Sequence, residues 1–432
     1  MENKPNYSIE SEIIEIRPIE MLDAEISAPP AKAYTLRDIF IASLAKGKSI
    51  IINPLLAEDQ IYAINAMKQL GVKIDIDNNK LIIEGMDGRL KTPEKEIYLG
   101  NSGVSVRFLA AIAALADGGE VIITGNERMQ TGRPISDLLD ALKPIGIKAE
   151  SINGNGCPPL RIASGTFHGG ETDLAGNKSS QYFSSIMLAA PYAKHDVVIN
   201  TLGHLSSKPF IDITLDCMKS FGVEIKNDDY KAFRICAGEG YKAREISVEG
   251  DYSNASYFFA AAAITGGRVK VTNLNINSAQ GEKYFIDCIE EMGCRITKGD
   301  NWVEVKGEKL KGIRKDMNNY PDIVQPLAVV AAFAEGESEF YNIEHLKYKE
   351  CDRITAPAEE LKKMGIDAIA EKDRLIIKGG TPTAAEIETY NDHRMAMSFS
   401  IAGLKIPGIK IKNPKCVKKS FPDFWKKLEE LY

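Results

Sequence analysis

Ser220-Phe221-Gly222-Val223-Glu224-Ile225 closes one amphipathic segment and opens a β-branched one. The chain repeats the device at Glu291-Met292-Gly293-Cys294-Arg295-Ile296 and at Lys363-Met364-Gly365-Ile366-Asp367-Ala368. A glycine after a helical pattern, followed by an apolar residue and a short strand pattern, is a helix stop. Gly71 holds the same place after a helix expected over 59–70 and ahead of strands expected over 73–76 and 80–84. Working outward, each stop belongs to a longer unit: an Ala-rich apolar helix, a short strand, a polar turn, an amphipathic helix, then one or two strands. The first unit begins at Arg37, with an apolar run over 40–45 and a strand over 49–52. The second begins at Arg107, with an apolar run over 108–115, a strand over 120–124, a helix over 134–144 and a strand after Gly146. Further units open near Gln181, Ser256, Gln325 and Arg394, the last of them truncated.

A period of roughly 70 residues repeated about six times is too long for a helical solenoid and points to a duplicated supersecondary unit. Three units would make one domain and three the other, joined near 247–251, where no long Pro/Gly/Ser linker stands. Helices such as 256–264 are apolar nearly all round, so they are expected inside each domain with sheet outside them. Ligand sites would then fall in the cleft between domains.

The 432 residues are 44% hydrophobic, enough for two cores of about 200 residues each. A formal charge of -6 offers no basic field for nucleic acid or an anionic membrane, so neither is expected as a partner. The opening residues lack the order of a secretory signal and no apolar run is long enough to span a bilayer, so a cytoplasmic protein is expected. Seven scattered cysteines without Cys-x-x-Cys, and five histidines without His-Glu-x-x-His, argue against a disulfide framework or a metal site.

Chemistry is concentrated at loop-to-helix junctions. Leu346-Lys347-Tyr348-Lys349-Glu350-Cys351-Asp352-Arg353 interleaves both signs of charge, and Asn318-Asn319-Tyr320-Pro321-Asp322, Asn391-Asp392-His393-Arg394 and Asn101-Ser102-Gly103-Val104-Ser105-Val106-Arg107 set an Arg or an acid among turn-forming residues. Free N–H groups and the helix dipole favour an anion at such places. Lys32 and Arg37 lie at the start of a helix, where cations oppose the dipole and a bound anion would justify them. Gly125 to Ile135 is expected as a turn that presents Arg128 and Arg133, with Pro134 as a first-turn residue. Ser179-Ser180-Gln181 and Ser206-Ser207-Lys208-Pro209 bring hydroxyls to helix starts, with Ser180 equally able to serve as an N-cap. Asp322 and Glu350 are the acid–base candidates, His393 is a structural hydrogen-bonder, and Arg353, Arg394 and Lys419 complete the cations.

Together these stretches, with SKPFIDITLDCMKSFGVEI (207–225), VEGDYSNASYFFAAAAI (248–264), TYNDHRMAMSFS (389–400) and NPKCVKKSFPDFW (413–425), resemble the 5-enolpyruvylshikimate-3-phosphate synthase family in unbroken order from Ile26 to Trp425. The resemblance implies an α/β fold, a two-domain inside-out α/β barrel of six βαβαββ units that closes like a hinged clamp, with the active site in the interdomain cleft. Residues 29–247 would form the shikimate 3-phosphate side, and 1–28 with 248–432 the phosphoenolpyruvate side. It implies contacts to both substrates from Lys32 and to the shikimate carboxylate from Arg37. Ser179, Ser180, Gln181, Ser207 and Lys349 would bind shikimate 3-phosphate, and Arg133, Arg353, Arg394 and Lys419, with Gly103 beside them, phosphoenolpyruvate. Asp322 would face the target hydroxyl and Glu350 the methylene carbon, assisted by Lys32. The implied partners are these two small molecules, the implied state is a monomer, and no metal, nucleotide or other cofactor is required.

The chain departs from the family pattern at Ala33, where Ser is common, and at Val104, Phe108 and Phe210; the 128–133 turn is one residue longer. The resemblance implies that the missing hydroxyl at position 33 would have bonded the shikimate carboxylate, a loss of about 1–3 kcal/mol. Two other readings stand beside this one: enolpyruvyl transfer to another acceptor such as a UDP-sugar, and a non-catalytic binding protein on the same fold. The absence of Cys from 128–133 and the Lys349–Arg353 motif disfavour the first, and the complete acid and cation set the second.

Overall fold

The computed structural model describes residues 4–432. The chain divides into two compact units, one made of Pro30–Val248 and the other of the segment ending at Pro29 together with Glu249–Tyr432.

In the unit Pro30–Val248, three apolar helices, Lys32–Leu44, Gly103–Ile112 and Ser180–Ala189, are surrounded by three four-stranded sheets. Every residue of Gly103–Ile112 except Val104 is buried, as it must be for a helix with sheet on the outside. Each sheet has one plan. An outer strand runs parallel to a central strand, and an antiparallel hairpin covers the other side, as in Gly170–Ala175, Val197–Leu202 and the pair Lys226–Asp228 and Ala232–Ile235. The sheet of the first repeat takes its outer strand, Glu245–Ser247, from the end of the unit, where Glu245 pairs with Ile50 beside Lys46–Ile52.

The other unit is built alike around Tyr252–Thr265, Val324–Ala332 and His393–Gly403. Residues 252–264 are buried without interruption. Asp23–Ser27, from the chain's beginning, runs parallel to Arg268–Thr272 and completes the first sheet. The last repeat has no hairpin of its own: Ile13–Glu15 pairs antiparallel with Lys410–Lys412 and fills the vacant side of a three-stranded sheet.

The recurring glycines have one physical cause. Gly71, Gly146, Gly222, Gly293 and Gly365 all have positive φ, from 78° to 120°. Each closes a helix in the same way. Gly222 N–H donates to the Lys219 carbonyl and Val223 N–H to the Met218 carbonyl, and Gly365 and Ile366 donate likewise to Lys362 and Leu361. These are the two bonds of a Schellman motif, which satisfies carbonyls that the helix end would otherwise leave open and turns the chain toward the next strand.

Two local expectations need correction. Residues 125–135 are not an open turn: Asn126 accepts a hydrogen bond from Met129 N–H and caps a short helix, Glu127–Gly132, because Met129 is apolar and buried there. The following helix is Ser136–Leu142, so Pro134 lies between two helices rather than in the first turn of one. Among the described residues no helix is long and apolar enough to cross a membrane.

Gly365 offers a clean test of the helix stop. A Cβ there would lie 3.5 Å from Thr383 Oγ1, an ordinary contact, so Gly365→Ala isolates backbone strain from crowding. We expect urea denaturation to show a loss of about 1–2 kcal/mol, the cost of a left-handed non-glycine residue. Unchanged or increased stability would contradict this account of the repeat.

Candidate active site

Each unit carries its own set of the residues expected to act. In Pro30–Val248, the helix Lys32–Leu44 begins without a side-chain cap and without an acid in its first turn. The cation at its start has a counter-charge from elsewhere: Lys32 Nζ lies 2.5 Å from Asp59 Oδ2, and Asp59 is only 2% exposed. A protein carboxylate therefore supplies part of what the sequence suggested a bound anion would supply. Asp59 sits in the first turn of Glu58–Gln69, where an acid is ordinary, so its sequence position gave no hint of this pairing.

Arg37 is 2% exposed, donating from Nε to Thr214 Oγ1 at 2.8 Å, from NH1 to the Ala33 carbonyl at 2.9 Å and from NH2 to the Phe210 carbonyl at 2.9 Å. Its guanidinium also lies over the Phe108 ring at 5.3 Å. In this conformation Arg37 ties two helices together. Phe108 and Phe210, two of the departures from the family pattern, are thus both partners of Arg37.

Gly103 and Arg133 are brought together. Arg133, 3% exposed, donates from NH1 to the carbonyl and side-chain oxygens of Asn101, and a Cβ at residue 103 would fall 2.3 Å from Arg133 NH2. Only glycine lets the guanidinium pass this close to the helix start. Ser179, not Ser180, is the N-cap of the next apolar helix, accepting from Gln181 N–H at 3.3 Å. Gln181 Oε1 accepts from Arg107 NH1 at 2.5 Å, so Arg107, absent from the expected site residues, orients one that was expected. Ser207 precedes Lys208–Ser220 in a left-handed conformation.

The other unit gathers Asp322, Lys349, Glu350, Arg353, Arg394 and Lys419. Arg353 is the hub. It is 2% exposed and donates from Nε to Asp392 Oδ2 at 2.7 Å, from NH2 to Asp392 Oδ1 at 3.1 Å and from NH1 to Asp322 Oδ1 at 3.1 Å, with Glu350 Oε2 2.8 Å from NH2. Arg394 NH2 lies 2.7 Å from Asp322 Oδ2, and its NH1 donates to the Tyr257 hydroxyl at 3.1 Å. Lys419 Nζ is 3.6 Å from Glu350 Oε1.

Asp392 and Tyr257 are the residues that sequence reasoning missed. Asp392 caps the helix His393–Gly403 by accepting from Arg394 N–H, and an acid before a helix is explained by capping alone. His393 is buried with Nδ1 3.4 Å from Asp392 Oδ1. Cys351 Sγ donates to Asp392 Oδ2 at 3.4 Å, and burial keeps its thiol protonated.

The electrostatics separate the acids. Burial alone would raise the Asp322 carboxyl, but Arg394, Arg353 and Lys349 outweigh it, despite opposition from Glu350, and hold the group at about 2. Asp322 is therefore ionised at neutral pH while still 19% exposed. Asp392 is fully buried and pairs with Arg353 through both oxygens. His345, desolvated and near Lys349, is pushed down to about 3 and stays neutral. Among the described residues no group of three or more His, Cys, Asp or Glu could hold a metal ion.

This division of roles predicts that Asp392→Asn, which leaves buried Arg353 short of its bidentate partner, lowers unfolding free energy by about 3–5 kcal/mol. Urea denaturation at neutral pH measures it. A loss below about 1 kcal/mol would mean that Asp392 is not the structural anchor of the hub.

Comparisons with known proteins show the family of the chain. Residues 16–428 match the family described as EPSP synthase (3-phosphoshikimate 1-carboxyvinyltransferase). The chain is 41% identical over 407 residues to a 3-phosphoshikimate 1-carboxyvinyltransferase of Nostoc punctiforme, covering 94% of this chain and 95% of that one. The enzyme of the same name from Methanocaldococcus jannaschii is 42% identical over 414 residues, with 95% and 96% covered. A solved structure of EPSP synthase from Acinetobacter baumannii is similar with a TM-score of 0.82 and 28% identity over 98% of both chains. A match that spans nearly the whole sequence, carried by relatives that share two-fifths of its residues, means that the chain belongs to the EPSP synthase family.

Proposed function

We propose that the chain transfers the enolpyruvyl group of phosphoenolpyruvate to the 5-hydroxyl of shikimate 3-phosphate and releases phosphate. The observation that supports it most strongly is the ion network of Asp322, Glu350, Arg353, Arg394 and Lys419, which pairs two carboxylates with the cations a phosphorylated carboxylate needs. We assign phosphoenolpyruvate to Arg133, Arg353, Arg394 and Lys419 with Gly103. Shikimate 3-phosphate falls to Arg37, Ser179, Ser180, Gln181, Ser207 and Lys349. Lys32 contacts both.

The chemistry is an addition followed by an elimination. The 5-hydroxyl oxygen attacks C2 of phosphoenolpyruvate while its proton passes to Asp322, and Glu350, aided by Lys32, delivers a proton to the methylene carbon. The result is a tetrahedral intermediate bearing a methyl group and a phosphate on C2. Loss of the C2–O bond expels phosphate, and return of a methyl proton to Glu350 restores the double bond. No cofactor enters this sequence.

The resting network also explains how Asp322 becomes a base. With Arg394 and Arg353 against it, the carboxylate holds its charge too firmly to take a proton from an alcohol. Substrate phosphate and carboxylate groups compete for the same guanidiniums, and each contact they win returns basicity to Asp322. Substrate binding and base activation are one event in this scheme. The reading also makes the chain a monomer of the cytoplasm, and light scattering on purified protein would check the monomer.

Phosphate release should require both substrates, and a panel of alternative acceptors including a UDP-sugar should release little. Asp322→Asn and Glu350→Gln should each lower kcat by about 10²–10⁴, the usual worth of a positioned acid or base. Wild-type turnover in both variants would remove the acid–base assignment, and turnover of another acceptor in preference would redirect the substrate.

A further inference from the structure

Tyr390 and Asn391 stand immediately ahead of Asp392 with φ of 52° and 54°. Two successive left-handed residues without a glycine are costly, and a bulky aromatic is poorly suited to the first of them. Such a backbone persists only where its surroundings leave it no alternative. The turn matters for what it leads into: Asp392 grips Arg353 with both oxygens, and Arg394 reaches Asp322.

The bonds that fix this turn converge on one carboxylate. Glu360 is 0% exposed and lies on Thr355–Lys363, the helix that follows Arg353. Its Oε1 accepts from the Tyr390 hydroxyl at 2.8 Å and its Oε2 from Glu388 N–H at 3.0 Å, so one side chain holds a residue ahead of the turn and a residue within it. The Tyr390 hydroxyl is equally close to Glu359 Oε2, at 2.8 Å. Lys363 Nζ, on a half-exposed side chain, lies 2.8 Å from Glu360 Oε1 and supplies the counter-charge. Upstream, Glu386–Ile387 is fixed in the sheet beside Lys410–Lys412, and downstream Asp392 N–H donates to the Thr389 carbonyl at 2.8 Å. Asn391 Oδ1 accepts from Asn413 Nδ2 at 3.1 Å, and Asn413 precedes Pro414–Lys419, the short helix that ends in Lys419. The turn is therefore the junction of the three segments that carry Arg353, Arg394 and Lys419.

We infer that Glu360 is a positioning residue for phosphoenolpyruvate binding: by holding Tyr390 and Glu388 it fixes the left-handed turn that sets Asp392 and Arg394 in place. The inference rests on the functional reading above, in which Arg353, Arg394 and Lys419 bind phosphoenolpyruvate. Glu360 acts on that substrate only through the turn. A carboxylate that merely stabilised the fold would change how much protein is folded, whereas one that places Arg394 changes the KM of the folded enzyme.

The test reads the KM for phosphoenolpyruvate with shikimate 3-phosphate saturating, at a temperature well below the thermal midpoint of each variant. Tyr390→Phe removes the hydroxyl from both carboxylates, and Glu360→Gln keeps the shape but can accept at only one of its two positions. Each should raise that KM about tenfold, the worth of one hydrogen bond to a charged group expressed as an equilibrium ratio, and change the KM for shikimate 3-phosphate much less. Lys363→Met removes the counter-charge and keeps both hydrogen bonds, so its KM for phosphoenolpyruvate should stay near that of the wild type.

An unchanged KM in Tyr390→Phe and Glu360→Gln, with only the thermal midpoint lowered, would make Glu360 a stabilising residue and overturn the inference. An equal rise in Lys363→Met would place the effect in the charge of the helix rather than in the turn, and would overturn it too. Should Glu360→Gln fail to fold, Tyr390→Phe decides alone, since it leaves the Glu360 bond to Glu388 and the ion pair to Lys363 in place. Absence of phosphate release from the wild type given both substrates would overturn the functional reading and this inference with it. Phosphate release with the same KM in every variant overturns this inference alone.

Discussion

A guanidinium withdrawn from water sets the terms for the unit that carries Asp322 and Glu350. Arg353 is 2% exposed, and an ion removed from solvent to that degree is tolerated only with excellent geometry and full hydrogen bonding. Asp392, Asp322 and Glu350 meet that demand from three different segments of chain. Because Asp392 also caps the helix that starts at His393, the ion pair and the helix hold each other in place. Asp322 is held by Arg353 and Arg394 together, so its position too follows from the hub.

The network does not treat its acids alike, and the difference carries the functional argument. Asp392 has no exposure and grips Arg353 with both oxygens, whereas Asp322 and Glu350 keep 19% and 10% of their side chains accessible. The accessible acids pair with cations that a phosphorylated substrate would also seek. Several like charges gathered without counter-charges would repel one another, and the protein's own carboxylates supply those counter-charges. Lys32 with Asp59 in the other unit follows the same rule. On the function proposed above, such a site would exchange one set of anions for another, which is easier than creating ion pairs from bare charges.

Much of the fold was legible because its signals are local. The glycines at 71, 222, 293 and 365 mark helix ends that only a left-handed residue can make, and unbroken apolar runs such as 258–264 mark the inner helices. Less legible were features that depend on distant partners. Glu245–Ser247 completes a sheet begun some 190 residues away, and no periodicity announces such a pairing; the placement of Asp23–Ser27 with the second unit followed from the family resemblance alone. The short helix Glu127–Gly132 looked like a turn because its glycine and arginines outweighed one buried methionine. Asp322 after Pro321 and Glu350 among cations, singled out by their local settings, meet at one guanidinium. Asp59 and Asp392 were not singled out, since each is unremarkable in sequence and gains its partner only through what folds against it.

The central claim is that substrate anions displace protein carboxylates from their arginines and lysines. Displaced carboxylates hold protons more tightly, so binding should draw protons from solution at mildly acidic pH. Isothermal titration of the protein, saturated with shikimate 3-phosphate, with phosphoenolpyruvate at about pH 5, in buffers of different ionisation enthalpy, measures this directly. The account predicts that the wild type takes up more protons, or releases fewer, per phosphoenolpyruvate bound than Asp322→Asn does, the ligand's own phosphate proton being common to both. Equal proton exchange in the two proteins would contradict it.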